Sequence, residues 1–599
     1  MSSSLTTLDA PPPEPAPSSE PERPEPRPNR LADAFALALY VVMAFIVTAP
    51  LWRGDGVLKE NRDDPIFFQW MFVHASRIFT HGENPFFAEQ MNAPFGLNLM
   101  ANTSVLGLAI PLTPVTLLFG PWISFLIMTT AGLAGTAFAW YFVLSRHLTT
   151  QRAAAIIGGV FCGFAPGMIS QAIGHPNIIS QFLVPFMVLA VIRLRRAPER
   201  WLRTGLTLAG LVVYQAFINL EVLFLAALVL IVFALFYLVQ RLRGARVMVT
   251  GAFKAAGVCA AVAGALLAFP VAWQFFGPSA YHGLPDGVQE FGTDLLAASA
   301  FSRESIIGSP ETSYGLASSG AEENTFFGSP VLLALLGAAI VLLRTAGGRA
   351  LVATLLLFWG FSLGPHIRIN GELTDIPGPW YPISQLPLFD SVVPTRLGLA
   401  LIPMVGLVLA LGIDRFRPDR FRPAVIALVV AALLPSGPTP LTVSGPHVPP
   451  TPAFFTSGNW RQHVPDNGVV MTLPPGWVSY LGAMQWQIDT RLDFDMVGGY
   501  YLAPTPGDPS KRANFGPAYP PTMRLLWYVG EGGGEVYVSD EHRRLARTDL
   551  KDYHVTTLIL PAAHPRAAQV KSCATQLFGQ PQRVDDVWLW DVRSFVAGG

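Results

Sequence analysis

The chain has 599 residues, 51% of them hydrophobic and only 13% charged, against roughly 25% charged in an ordinary soluble domain. Its formal net charge is zero, so it lacks the basic footprint of a nucleic-acid partner. Cys162, Cys259 and Cys573 are too dispersed for a disulfide framework or a zinc site.

Residues 1–30 include PPPEPAPSSEPERPEPRPNR. A stretch so rich in proline and so poor in apolar residues cannot bury a core, which predicts a disordered cytoplasmic tail. A partner-binding arm is the functional alternative for it. The apolar run Leu31–Leu51 is longer than a signal-peptide core and has no convincing cleavage site. It reads as a first membrane span, with Arg23, Arg27 and Arg30 holding its start in the cytoplasm.

Ten further runs approach the length of about 20 residues that crosses a hydrocarbon core. They are 121–144, 153–170, 178–194, 203–218, 220–240, 252–276, 328–344, 349–364, 395–413 and 423–438. The short junctions at 146–152, 193–203, 241–246, 344–349 and 414–423 are basic, and the positive-inside rule assigns all five to the cytoplasm in an 11-span count. Val105–Phe119 is apolar too, but it is short and contains Pro111 and Pro114. Counting it as a span would invert every later basic junction, so it is expected to be an interfacial or re-entrant part of the first outer loop, 52–120. The turn 174–177 and the loops 277–327 and 365–394 then share that outer side.

The chain changes character near residue 445, where charges return and apolar runs shorten. Strand-like Gly468–Leu473, Val555–Leu560 and Val587–Val592 alternate with helical patterns at Val478–Ile488 and Ala567–Leu577. The expected architecture is a mainly α, polytopic membrane domain over 31–440, of about 11 transmembrane helices, followed by an outer-face soluble α/β domain over 445–599.

The acidic pair Asp63-Asp64 follows the first span by roughly a dozen residues and precedes PIFFQW, whose aromatic residues suit a membrane interface. Pro65 is compatible with the first turn of a helix, so one carboxylate could be a plain helix cap. A solvated acidic loop and a catalytic carboxylate are the other readings. Glu221 lies at a turn between two apolar runs, where an ionisable residue is a functional suspect or a cap. His175 in GHPN is either a cavity residue or an exposed loop histidine. Glu322, Glu323 and Asn324 could bind the polar groups of a substrate or cap the following helix. Arg396 opens a span at its outer end, against the charge rule; a bidentate phosphate contact or snorkelling to headgroups would explain it. His366 and Arg368 are a second phosphate candidate. Trp70, Phe86, Phe87, Trp380 and Tyr381 read mainly as interfacial anchors, with stacking on the face of a ligand as the alternative. GGYY (498–501) and Trp477, Trp486, Trp588 and Trp590 read mainly as core, with a glycan groove as the alternative.

The succession RDDPIFFQW, HGENPFF, MNAPFGLNL, IGHPN, GAEENTFFGSP, SLGPHIRINGE and VVPTRLG resembles the GT-C class of integral membrane glycosyltransferases, of the bacterial type with a C-terminal outer domain. The resemblance covers most of the membrane half, through individually loose motifs. It implies inverting transfer of a sugar from a polyprenyl-phosphate-linked donor to a glycan, glycolipid or protein acceptor, among membrane lipids, at the outer face of a plasma membrane. Carried over residue by residue, it makes Asp64 of the DP step the general base, with Asp63 beside it as a ligand of the acceptor or of a metal. The family pattern has one acidic residue here, so the doublet leaves that assignment open. Some members of the class need a divalent metal and others do not, and the sequence has no compact metal motif. A flippase for a lipid-linked saccharide and a noncatalytic envelope-assembly protein are the competing functions. A flippase should carry polar residues down its spans, whereas here they cluster at the outer ends.

Overall fold

The computed structural model describes residues 29–240, 246–285, 287–445, 450–477, 479–516, 519–534 and 536–598. The expected N-terminal tail, the junction at 241–245 and Val478 lie outside the described residues. Among those described, seven helices are long and apolar enough to cross a membrane, as a multi-pass membrane protein requires. They are Arg30–Arg53, Pro121–Leu148, Arg152–Ala172, Pro176–Arg196, Leu220–Val239, Val247–Phe276 and Pro394–Arg415.

Eleven full-length spans are not seen. The runs expected at 203–218, 328–344, 349–364 and 423–438 form Trp201–Ala216, Ser329–Leu342, Ala346–Ser362 and Arg422–Leu433, of 16, 14, 17 and 12 residues. At about 1.5 Å per residue, 12 residues reach only about 18 Å of a core about 30 Å thick. Local chemistry trims them. Thr345 caps the third through its side chain, and the fourth passes into a 3-10 turn containing Pro435. Two longer spans are interrupted, one at Pro166 and the other between Ile179 and Val184.

The connections expected on one side do meet one another. Asp33, in the first turn of the first helix, pairs with Arg146 and lies 3.7 Å from Arg152. The Thr150 amide donates to Asp414 at 2.8 Å, Arg196 to the His147 carbonyl at 3.1 Å, and Arg415 to the Thr345 hydroxyl at 3.3 Å. Because the start of Arg30–Arg53 pairs with the end of Pro121–Leu148, these helices run antiparallel. The chain between them therefore leaves and returns at the same end. Leu106–Phe119 lies in that return as a helix of 14 residues with Pro111 and Pro114 inside it.

The C-terminal region carries a five-stranded mixed sheet. Its spatial order is Gln582–Val584, Val587–Asp591, Val555–Pro561, Val469–Thr472 and Asp495–Met496. The last three are parallel neighbours and the first two join antiparallel. Val469–Thr472 is buried along its whole length, which explains why Val469, Val470 and Met471 follow one another without polar alternation. Gly482–Asp489 and Ala567–Phe578 form the two expected helices.

This region is fastened to the first loop. Trp70, buried on the helix Asp63–Thr80, donates its indole N–H to Gln487 at 2.8 Å, and Gln487 donates to the Gln90 carbonyl at 2.6 Å. Val57–Leu58 pairs antiparallel with Val443–Ser444. Arg77 joins Glu83 to Asp493 at 2.7 and 3.0 Å. Trp70 and Trp380 are thus core residues, not interfacial anchors: both are essentially inaccessible. Trp486 and Trp590 are buried as well, in keeping with core packing.

Candidate active site

The helix Asp63–Thr80 begins immediately after Arg62, with Asp63 and Asp64 in its first turn. Negative charge is favoured there by the helix dipole, and Arg77 sits in the last turn, where positive charge is favoured. Arg62 makes no side-chain capping bond. Asp64 does not cap the helix either, because its carboxylate faces the side chain of nearby Asn61 and those of His175 and Tyr500 from distant parts of the chain.

Asp64 Oδ2 accepts from Asn61 Nδ2 at 2.6 Å and lies 3.0 Å from His175 Nε2. Asp64 Oδ1 accepts from the Tyr500 hydroxyl at 3.0 Å. Two glycine-dependent approaches make this cluster. Gly174 has φ +123°, and a Cβ there would stand 2.4 Å from Asn61 Nδ2. Gly498 and Gly499, at φ +82° and +131°, turn the chain just before Tyr500, and a Cβ on Gly499 would meet Met91 at 2.9 Å. Tyr500 is held in place by edge contact with Phe67 and by stacking on Phe515.

The two carboxyls differ electrostatically. Burial pushes Asp64 up, but the charge and hydrogen bond of His175, with the bonds from Asn61 and Tyr500, hold it below its ordinary value. Asp63 is pushed up to about 7, by burial first and by the Asp64 charge second, with Arg62 opposing. Tyr500 is pushed well above its ordinary value by burial and the neighbouring carboxylates, so it keeps its proton and donates.

These groups line one cavity of about 430 Å³. Its walls come from the first loop (Lys59–Asp64), the 174–177 turn (His175), the 277–327 loop (Phe291, Glu322), the 365–394 connection with the helix after it (Val393, Arg396), and the C-terminal region (Tyr500, Phe515). All five segments expected on one side of the membrane therefore converge on a single space.

Arg396 lies at the wall with Nη1 2.9 Å from Glu221 and Nε 2.9 Å from Glu322. One guanidinium thus serves two carboxylates. Asn324 stands behind Glu322 and donates to it at 2.7 Å. Glu60 is held by Arg303 at 2.8 Å and by the Tyr314 hydroxyl at 2.6 Å. Lys59 and Arg62 are exposed cations at the cavity, with no ion pair among the described residues.

The family described as "Domain of unknown function (DUF6311)" matches residues 37–434. The chain belongs to the DUF6311 family. No curated protein matches it. Among solved structures, it is similar to the oligosaccharyltransferase AglB of Archaeoglobus fulgidus in complex with an inhibitory peptide and a dolichol-phosphate. That alignment has 10% identity and a TM-score of 0.48, over 89% of this chain and 70% of the other. It is similar also to the apo oligosaccharyltransferase of the same organism, at 12% identity and a TM-score of 0.46 over 88% and 69% of the two chains. The same enzyme tethered to an acceptor peptide gives 11% identity and 0.42 over 88% and 69%.

Of the residues singled out from the DUF6311 sequence, Asp63, Asp64, His175, Glu322 and Arg396 share the cavity, and Glu221 reaches it through Arg396. Asn324 and Glu323 are buried behind the wall. Glu323 is taken up by Arg303 and Ser313. His366 and Arg368 are not in the cavity. They lie on the strand His366–Ile369, paired with Glu372–Pro377, where His366 contacts Glu290 at 3.2 Å and Arg368 donates to the Gly371 carbonyl at 2.9 Å. Strand pairing and these contacts hold both side chains away from the cavity. Sequence reasoning missed Asn61, Lys59 and Arg62 and assigned Tyr500 to core packing. The doubled glycine before Tyr500 was the available signal. No group of three or more His, Cys, Asp or Glu that could hold a metal ion occurs among the described residues.

Proposed function

We propose that the chain is an inverting membrane glycosyltransferase of the GT-C kind. It moves a sugar from a polyprenyl-phosphate-linked donor to a cell-envelope glycan, glycolipid or protein acceptor at the outer face of the plasma membrane, with its N-terminus in the cytoplasm. The observation that carries this reading is the convergence of five separate chain segments on one polar cavity containing the acidic pair. Transfer from such a donor needs an acceptor hydroxyl to lose its proton as its oxygen attacks the anomeric carbon, and a carboxylate within reach can take that proton. The leaving phosphate benefits from positive charge. Arg396 is committed to two carboxylates, which leaves Lys59 and Arg62 to meet it. The polar side of Arg396, Glu221 and Glu322 suits sugar hydroxyls, with Phe291 and Phe515 as apolar walls.

The test is envelope glycan analysis of cells carrying the wild type or the double variant Asp63→Asn/Asp64→Asn at equal protein abundance. Loss of one glycan species in the variant supports the reading. An unchanged profile excludes catalysis by this pair and favours an assembly role.

A further inference from the structure

Within the glycosyltransferase reading, on which this inference rests, the two aspartates stand in different positions. Asp64 receives three side-chain donors, from Asn61, His175 and Tyr500. A carboxylate has about four acceptor sites, so three of them are spent on the protein. Asp63 lines the same cavity and its carboxylate has no hydrogen-bond or ion-pair partner among the described residues. His175 cannot replace it, because its second ring nitrogen, Nδ1, is buried without a partner and closed to the cavity.

We propose that Asp63, and not Asp64, takes the proton of the acceptor hydroxyl, while Asp64 is a fixed anion that gathers Asn61, His175 and the C-terminal Tyr500 around the cavity. In the step, a lone pair of the acceptor oxygen forms the new bond to the anomeric carbon. The bond from that carbon to the donor phosphate oxygen breaks, and its electron pair leaves with the phosphate. The hydroxyl proton passes to Asp63. A base works best when its proton affinity is matched to the working pH and its lone pair is open to the substrate; Asp63 meets both conditions, whereas the donors around Asp64 stabilise it as the ion and weaken it as a base. The charged groups around Asp63 are Lys59, Glu60 and Arg62 on its own loop, adjacent Asp64, and His175, Glu322 and Arg396 across the cavity. Tyr500 becomes a positioning residue, through which the C-terminal domain completes the membrane half of the site.

The experiment measures sugar transfer by full-length protein in membrane vesicles supplied with polyprenyl-phosphate-linked sugars, for wild type, Asp63→Asn, Asp63→Glu, Asp64→Asn and Tyr500→Phe. Binding of sugar-free polyprenyl phosphate checks that each variant is folded. Asp63→Asn is expected to lose on the order of 10²–10⁴ in kcat with KM little changed, and Asp63→Glu to recover part of it. Asp64→Asn is expected to keep measurable turnover, with the acidic limb of its pH profile moved to lower pH because the like charge beside Asp63 is gone. Tyr500→Phe is expected to leave that limb in place. A severe loss in Asp64→Asn with near-normal kcat in Asp63→Asn would overturn the role of Asp63 and leave the glycosyltransferase reading standing. So would an acidic limb that moves up in Tyr500→Phe. No transfer by folded wild type, or full transfer by both Asn variants, would instead sink the reading itself.

Discussion

Asp63→Asn should stabilise the protein most above neutral pH and progressively less as pH falls towards about 4. Burial and the Asp64 charge raise the Asp63 carboxyl from an ordinary 3.8 to about 7. A folded-state value above the unfolded one means that the native state binds this proton more tightly than the unfolded chain does. Below the unfolded value both states hold the proton and nothing is lost. As pH rises towards 7 the native state is progressively penalised, and above 7 the penalty is complete. Roughly three pH units at about 1.4 kcal/mol each set a ceiling near 4 kcal/mol. The side chain is partly open to solvent, and screening reduces this to on the order of 1–2 kcal/mol. Spread over a chain of this length, that is about 1–2 °C in melting temperature. The assay is the apparent melting temperature of purified protein in detergent, at one scan rate because unfolding of such proteins is commonly irreversible. The Asn variant should exceed wild type by that margin at about pH 8 and lose nearly all of the advantage at about pH 4. A difference that is the same at both values, or a variant less stable at the higher one, would refute the electrostatic reasoning.

Arg396→Met should be among the most damaging changes in the membrane half, because it leaves Glu221 and Glu322 without their shared cation; a loss of about 3–5 kcal/mol is expected, read as reduced abundance and a lowered melting temperature. Gly174→Ala forces a Cβ to within 2.4 Å of Asn61 Nδ2 at a backbone conformation that strains other residues; transfer should fall on the order of tenfold or more while protein abundance changes little. A cysteine at Gln151, in the cluster formed with Asp414, should react with an impermeant thiol reagent only after the membrane is opened, and labelling of intact cells would overturn the topology.

Membrane crossing demands long apolar runs, so the seven long helices were legible from composition alone. Runs such as 423–438 were overread because hydropathy does not register where a proline turn or a side-chain cap ends a helix. Grouping the basic junctions on one side also grouped the loops that form the cavity. Strand chemistry was equally plain in Val469–Thr472, whose β-branched residues fill a buried central position.

The site was legible only in part. Asp63 and Asp64 stood out through their place just before PIFFQW in the first loop and through the family resemblance of that stretch. Tyr500 did not, since its link to Asp64 spans 436 residues and no local pattern encodes such a contact. Arg396 was conspicuous by its position, but its two carboxylate partners lie 175 and 74 residues away, so the guanidinium read as free. His366 and Arg368 failed for the opposite reason. Their loop sequence hid a short strand pair that places them outside the cavity.

The measurement that tests the central claim most directly is reconstitution of the purified full-length chain in lipid vesicles with a radiolabelled polyprenyl-phosphate-linked sugar and an envelope acceptor fraction. The account predicts that labelled sugar appears on the acceptor in step with release of polyprenyl phosphate, and that both products vanish in Asp63→Asn/Asp64→Asn. Movement of intact labelled donor across the bilayer, with no cleavage of the sugar–phosphate bond, would contradict it and make the protein a flippase.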